Sequence, residues 1–542
     1  MSASSEHFQG WPNEAAFHDE GGYQHTPVKL PLKGHIPSYA AGTLYRTGPT
    51  QHIVKDTPKA DFKIDHWFDG FSSVHRFELN PAADGSMEVT YNSRLNVDTL
   101  IEKIRSTGTY DQVSFGQKRD PCDGLFKKMK TLFTAARGPS PGENNIGVTI
   151  APDVPGINGD SSNGKSRFKT LTAFTDTASY KQLDPDTLEP LGVANQDSLH
   201  PSLTGPLSAA HGNYDPVNGD LLNHNLDFGR NCVYRIFKTS RATGKTDVIA
   251  TISGPDIKPA YIHSSFITEN FMVLGIWSSH IASGGLNILW QRNIVDAISR
   301  FDPSRKVMWL VVDRKHGRGL VAKFTSPACF MFHSSNAWEE TAADGTTNIV
   351  CDQVEYENLD IIHRFYYENF LSTSPKAGEF LKTHRETVKP HFARYRLAGI
   401  PTTAKPDSVA TSPAERILTI DGPLLGEFPT INQDYATRPS RFLYSIVDSG
   451  KSSYFDSIAK TDLETKKSVF WTQDHHTPGE VIFVANPEKK SEDDGVLLVV
   501  NYDGDTGKSY LLCLDARDLS EMGRAELDGV VPTGFHGRHT KL

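Results

Sequence analysis

Cysteine is scarce in this 542-residue chain: Cys122, Cys232, Cys329, Cys351 and Cys513 are all there are. No two stand at Cys-x-x-Cys spacing, which speaks against a structural zinc site, and an odd, scattered set fits a reducing compartment better than a disulfide framework. Long apolar runs are also missing. No stretch reaches the roughly 18 apolar residues that span a bilayer. The polar segment 1–28 lacks the apolar centre of a secretory signal. These absences predict a cytoplasmic protein that is neither secreted nor transmembrane. Positive charge is not in excess either: the formal net charge is −9, with acids and bases interspersed. A nucleic-acid-binding face is therefore not expected, and nothing in the text marks an obligate protein partner.

What is present is a succession of short aromatic and β-branched runs, such as Gly42–Arg46, Val74–Glu78, Phe271–Ile276 and Gly495–Asn501, separated by turn residues. An Asp-centred turn phrase recurs loosely between them, at Leu183–Leu188, Tyr214–Gly219, Phe301–Ser304, Lys460–Thr465 and Leu514–Arg517. Many short strands with spaced hairpins predict an all-β chain. The period is not strict, so pattern alone leaves a propeller, a large sandwich and a double barrel open. Two regions break the strand text. Residues 371–415 carry charged, helix-like and then Pro-rich sequence, and 100–168 include a stretch rich in Gly, Pro, Asn and Ser. Both predict insertions on one face of a single domain over 29–542.

Within the second region, Leu125, Phe126, Met129, Leu132 and Phe133 share one helical face, with Lys127, Lys128 and Lys130 largely off it. That pattern suits a helix lying in a membrane interface, and equally an ordinary helix packed on a core.

Four of the 21 histidines sit in distinctive phrases: Ala210-His211-Gly212, Ile262-His263-Ser264-Ser265, Phe332-His333-Ser334-Ser335 and Phe535-His536-Gly537. They are too far apart for spacing to assign a site. If they met, four neutral imidazoles would leave a metal open positions for further ligands, and imidazole suits iron, zinc and copper alike.

The surrounding phrases resemble the carotenoid cleavage oxygenase family from about Gly42 to His536, in the style of its fungal carotenoid- and torulene-cleaving branch. Gly42–Pro49 is similar to the opening strand of that family, and His66–Phe71 with Val74–Phe77 to its next block. Phe332–Glu340, Glu480–Val484, Glu492–Val496 and Gly534–Gly537 are similar to later blocks. The resemblance implies a seven-bladed β-propeller with a helical and loop dome over its top face. It also implies one Fe(II) per chain on His211, His263, His333 and His536, and outer carboxylates on three of these rings. Glu427 and Glu480 match two of the carboxylate positions. Asp176 stands where the family has Glu, and its shorter side chain is expected to reach its histidine only through water or a shifted strand.

Stilbene-cleaving relatives carry Lys at the position of Thr175, where it can bind a phenol. The resemblance thus implies a non-heme iron dioxygenase that cleaves a C=C bond of a carotenoid or apocarotenoid with O2 to aldehydes, with stilbene cleavage as the alternative. Phe332 and Phe535 are candidates to line the substrate passage. Asp120–Phe126 is similar to the membrane-facing segment of animal members, which favours the interfacial reading of the neighbouring helix and a peripheral membrane location.

Overall fold

The computed structural model describes residues 8, 10–19, 22–118, 140–157, 166–401 and 409–541. Seven sheets of four or more strands make a β-propeller. Their middle strands are packed on both faces by neighbouring blades, which explains their continuous apolar text: Phe271–Ile276 is buried throughout, and Gly495–Asp503 in all but its last residue. The recurrent Asp phrase is hairpin chemistry. In four of its five occurrences it joins successive strands of one blade, and Phe301–Ser304 instead leads into Val307–Asp313. The Asp carboxylate accepts from backbone N–H groups two or three residues on, as Asp184 does from Asp186 and Thr187 at 2.9 and 2.8 Å.

Each blade presents one edge strand to the axis. In chain order these are Thr149–Pro152, Asn213–Tyr214, Phe266–Ile267, Phe330–Thr341, Glu427–Thr430, Ile482–Ala485 and His536–Lys541. The last of these pairs antiparallel with Gly42–Gln51, His536 opposite Thr47, so the two ends of the chain close the ring in one blade. The ring leaves only short inner edges, shielded around the axis, rather than a long open one.

Helices and loops gather over one face. The helices Asp360–Arg364 and Tyr367–Phe370 are tied to the segment around His66, whose Nε2 donates to Ile362 O at 2.9 Å while its Nδ1 accepts from Phe68 N. Asp69 accepts from the N–H groups of Phe115 and Gly116 at 2.6 and 2.7 Å. The His66–Phe71 phrase is therefore the scaffold of this dome.

Three expectations need correction. The stretch 371–415 is not one insertion. Pro375–His384 is a helix, but His391–Ile400 and Glu415–Asp421 are the third and fourth strands of a blade. The charges that read as helix surface are satisfied across the sheet: Arg394 grips Asp352 with two bonds of 2.7 and 2.8 Å, and Arg396 pairs with Glu415 at 3.4 Å. Likewise Thr149–Pro152, inside 100–168, is an inner strand. The segment 1–28 is not merely a polar lead. Its few apolar residues anchor it, with Phe17 fully buried against Trp67, Phe370 and Tyr454. Among the described residues no helix is long and apolar enough to cross a membrane.

Candidate metal centre

The propeller brings the four histidines together where the axial strands begin. His211 and His263 precede Asn213–Tyr214 and Phe266–Ile267, His333 lies in Phe330–Thr341, and His536 opens the closing strand. The repeated His-Ser-Ser phrase has a local reason. Ser264 Oγ donates to Phe332 O at 2.8 Å and accepts from Ser334 N at 2.9 Å, while Ser334 Oγ donates to Ser265 O at 2.9 Å. The serines thus bolt two neighbouring axial strands together beside their histidines.

One nitrogen from each ring faces a common point, and all four lie within 4.8 Å of one another. His536 Nε2 is 3.0 Å from His211 Nε2 and 3.2 Å from His333 Nε2. The opposite nitrogens are taken up: His333 Nδ1 donates to Glu427 at 2.6 Å, His536 Nδ1 to Glu480 at 2.7 Å, and His263 Nδ1 to both oxygens of Asp176 at 3.0 Å. A carboxylate only accepts, so each of these Nδ1 atoms carries the proton and each Nε2 a lone pair. Lone pairs aimed at one another this closely repel unless a cation lies between them. Nitrogens about 2.1 Å from a shared ion and at right angles lie about 3.0 Å apart, against about 3.4 Å for a tetrahedron. The 3.0 Å pair matches the right-angled arrangement, which leaves room for further ligands, and the 3.2 Å pair lies between the two. Three carboxylates against the Arg46 guanidinium leave two negative charges around the ring, the complement of a dication. The donor set therefore fits a divalent metal.

Burial, and then the neighbouring imidazoles, holds His211 and His536 well below the usual histidine range, keeping them neutral as ligands must be. Burial pushes Glu480 up to about 7 against the pull of Arg46, whose Nη1 donates to it at 2.7 Å. A cation beside His536 would bring that carboxyl back to its ionised form.

Asp176 reaches its histidine without water: it sits in the turn after Leu171–Phe174 and touches His263 directly. Tyr261 also donates to Asp176, at 2.9 Å, and Tyr356 donates to Glu427 at 2.7 Å. Tyr261, Tyr356 and Arg46 went unnoticed in the sequence. Tyr261 and Arg46 lie inside quoted or adjoining phrases, whereas nothing local marks Tyr356.

On one side of the ring is an apolar pocket lined by Trp67, Phe68, Val148, Phe332, Phe365, Phe428 and Phe535 with His263, His333 and His536. Phe332 and Phe535 are thus beside the histidines, and sequence reasoning missed the others. Phe428 has φ of +53°, an uncommon conformation for a bulky residue, and its ring packs 5.2 and 5.0 Å from those of His333 and His536. Phe68 and Val148 also wall a second chamber of about 270 Å³, which Thr175, Tyr110, Phe115, Leu207 and Ile288 help line. No Lys or Arg lines either space among the described residues. On the other side a polar cavity of about 450 Å³ reaches His211, His536 and Glu480 along the axis. Leu125, Phe126, Met129, Leu132 and Phe133 lie outside the described residues.

The family model described as RPE65, retinal pigment epithelial membrane protein, matches residues 20–541. The chain belongs to this family, the carotenoid cleavage oxygenases. Its similar members include a carotenoid dioxygenase of Neurospora crassa, 41% identical over 98% of this chain and 91% of the relative. A torulene dioxygenase of Gibberella fujikuroi is 43% identical over 99% and 94%. Among solved structures, the Glu150Asp mutant of Synechocystis apocarotenoid oxygenase superposes with a TM-score of 0.73 at 20% identity, covering 98% of this chain and 99% of that one. Cobalt-substituted Synechocystis ACO gives 0.72 at 22%, with the same coverage. These likenesses carry the propeller fold of the family.

Proposed function

We propose that this family member is a non-heme Fe(II) dioxygenase that cleaves one C=C bond of a carotenoid or apocarotenoid, each carbon taking one atom of O2 to give two aldehydes. The observation that carries the reading is a ring of four converging imidazoles at the end of an aromatic passage, in a chain 43% identical over nearly its full length to a torulene dioxygenase. His211, His263, His333 and His536 would hold the ion, and Asp176, Glu427 and Glu480 would fix three of the rings. Fe(II) supplies the electronic access that lets ground-state O2 react with a singlet polyene. The chain does the rest. The Nδ1 hydrogen bonds keep Nε2 free to coordinate. Phe68, Phe332, Phe365 and Phe535 offer flat apolar walls around a small pocket of about 20 Å³ beside the histidines, against which a short segment of a polyene would pack away from water.

Thr175 in place of a lysine, with no cation among the described lining residues, favours a polyene over a stilbene. A buried phenol without a charged partner forgoes a hydrogen bond of about 1.5–3 kcal/mol. Peripheral membrane association belongs to the same proposal. Leu286 and Trp290 are 56% and 42% exposed, on the short helical stretch that carries Ile288 into the chamber wall, and a carotenoid resides in lipid. Binding to vesicles that falls with Leu286→Ser would support that part.

The deciding experiment offers iron-loaded protein a C40 carotene in detergent and resveratrol in parallel under air, with products identified by mass. Apocarotenals from the carotene alone are expected, and phenolic aldehydes from resveratrol alone would move the activity to stilbenes.

A further inference from the structure

The three outer carboxylates do not hold their histidines alike. Glu427 and Glu480 each use one oxygen at 2.6 and 2.7 Å. Asp176 offers both oxygens at the longer distance of 3.0 Å. A second group then enters: the Tyr261 hydroxyl lies 3.2 Å from the same His263 Nδ1 and donates to Asp176 Oδ2 at 2.9 Å. The remaining oxygen, Oδ1, accepts from Ala210 N at 3.0 Å, the residue before His211. Tyr356 gives no parallel. It donates to Glu427 Oε1, while His333 uses Oε2.

We propose that Tyr261 is a positioning residue for His263, and that Asp176 and Tyr261 together do the work that a single longer glutamate would do. The N–H of His263 is shared among three acceptor atoms, two of them carboxylate oxygens and the third a phenol oxygen. The phenol has spent its own proton on the carboxylate, which makes its oxygen a better acceptor. The arrangement is rigid. Tyr261 is 1% exposed, its ring 6.2 Å from that of Phe330 on one side and edge-on to Phe115 at 5.2 Å on another. The ring cannot turn away without displacing an aromatic neighbour. Through Ala210 the same aspartate also fixes the backbone leading into His211, so one short carboxylate steadies two members of the ring.

This inference rests on the reading of the four histidines as metal ligands, and the test separates the two. Co(II) is titrated into metal-free wild type, Tyr261→Phe, Asp176→Glu and the double variant, against a competing chelator. The visible spectrum of each Co(II) form and the melting temperature of each metal-free form are recorded. Tyr261→Phe is expected to weaken Co(II) binding by about 10-fold or more, in the range found when outer partners of metal-bound histidines are removed. It should also change the cobalt spectrum, with little change in metal-free melting. In the Asp176→Glu background the same Tyr→Phe change should cost less than about 3-fold, because the longer acid reaches Nδ1 alone. Equal losses in both backgrounds, or no loss in Tyr261→Phe, would overturn the proposal. Should Asp176→Glu fail to fold, Tyr261→Phe alone decides on affinity and spectrum. A wild type that binds no Co(II) would instead sink the metal-centre reading.

Discussion

Three imidazoles of the ring, His263, His333 and His536, are each held at one nitrogen and offered at the other, and the consequences differ by residue. His333→Ala removes one proposed ligand and leaves Glu427 with Tyr356 and Phe428 N as its donors. Metal content measured by elemental analysis should fall from about one ion per chain to a small fraction of that, since three neutral donors of a four-donor set retain little of its affinity. Full retention of iron would refute the assignment. Glu427→Gln keeps the shape and can still accept the Nδ1 proton through its amide oxygen, but removes a negative charge facing a dication. A loss of about 10- to 100-fold in metal affinity is expected, read by chelator competition. At this scale the sequence was legible where chemistry sits in a local phrase: His211, His263, His333, His536, Glu427 and Glu480 all lie in such phrases and all meet at one place. It was not legible where a contact joins distant segments. Tyr356 meets Glu427 across 71 residues and Arg46 meets Glu480 across 434, and no spacing rule reaches so far.

Ser264 helps hold the strand carrying His333 beside the segment carrying His263 by satisfying two backbone groups of that strand. Ser264→Ala leaves the Phe332 carbonyl and the Ser334 N–H buried without that partner, at about 1–3 kcal/mol each. Thermal unfolding should shift down by several degrees, and an unchanged midpoint would mean that water replaces the hydroxyl. Elements with alternating or continuous apolar text were readable as strands, and the Asp turn phrases as hairpins, because both signals are local. His391–Ile400 was not readable. Its arginines resemble helix surface until Asp352 is seen opposite Arg394 and Glu415 opposite Arg396, on the strands to either side.

Across the whole molecule, buried neutral histidines set the response to acid. His52, His66 and His75 are each pushed down to about 3, chiefly by burial. A group whose folded pKa lies below its unfolded value is neutral in the fold and gains a proton on unfolding. Its stabilisation is complete above about 6.5 and is lost progressively as the pH falls from there towards 3. At pH 5.5 each of the three costs about 1.4 kcal/mol, or about 4 kcal/mol together. The melting midpoint should therefore drop clearly between pH 7.5 and 5.5, and a flat profile would contradict the buried neutral state. The blade that closes the ring carries a different consequence. Domains form during synthesis from the N-terminal side onward, but His536 and its strand pair with Gly42–Gln51, made almost 500 residues earlier. The ring of four histidines therefore cannot be completed while the polypeptide is still being extended through its blades. Polypeptides released early, at any point before residue 536, would lack both the closing strand and a ligand, so metal retention distinguishes finished translation products from abortive ones.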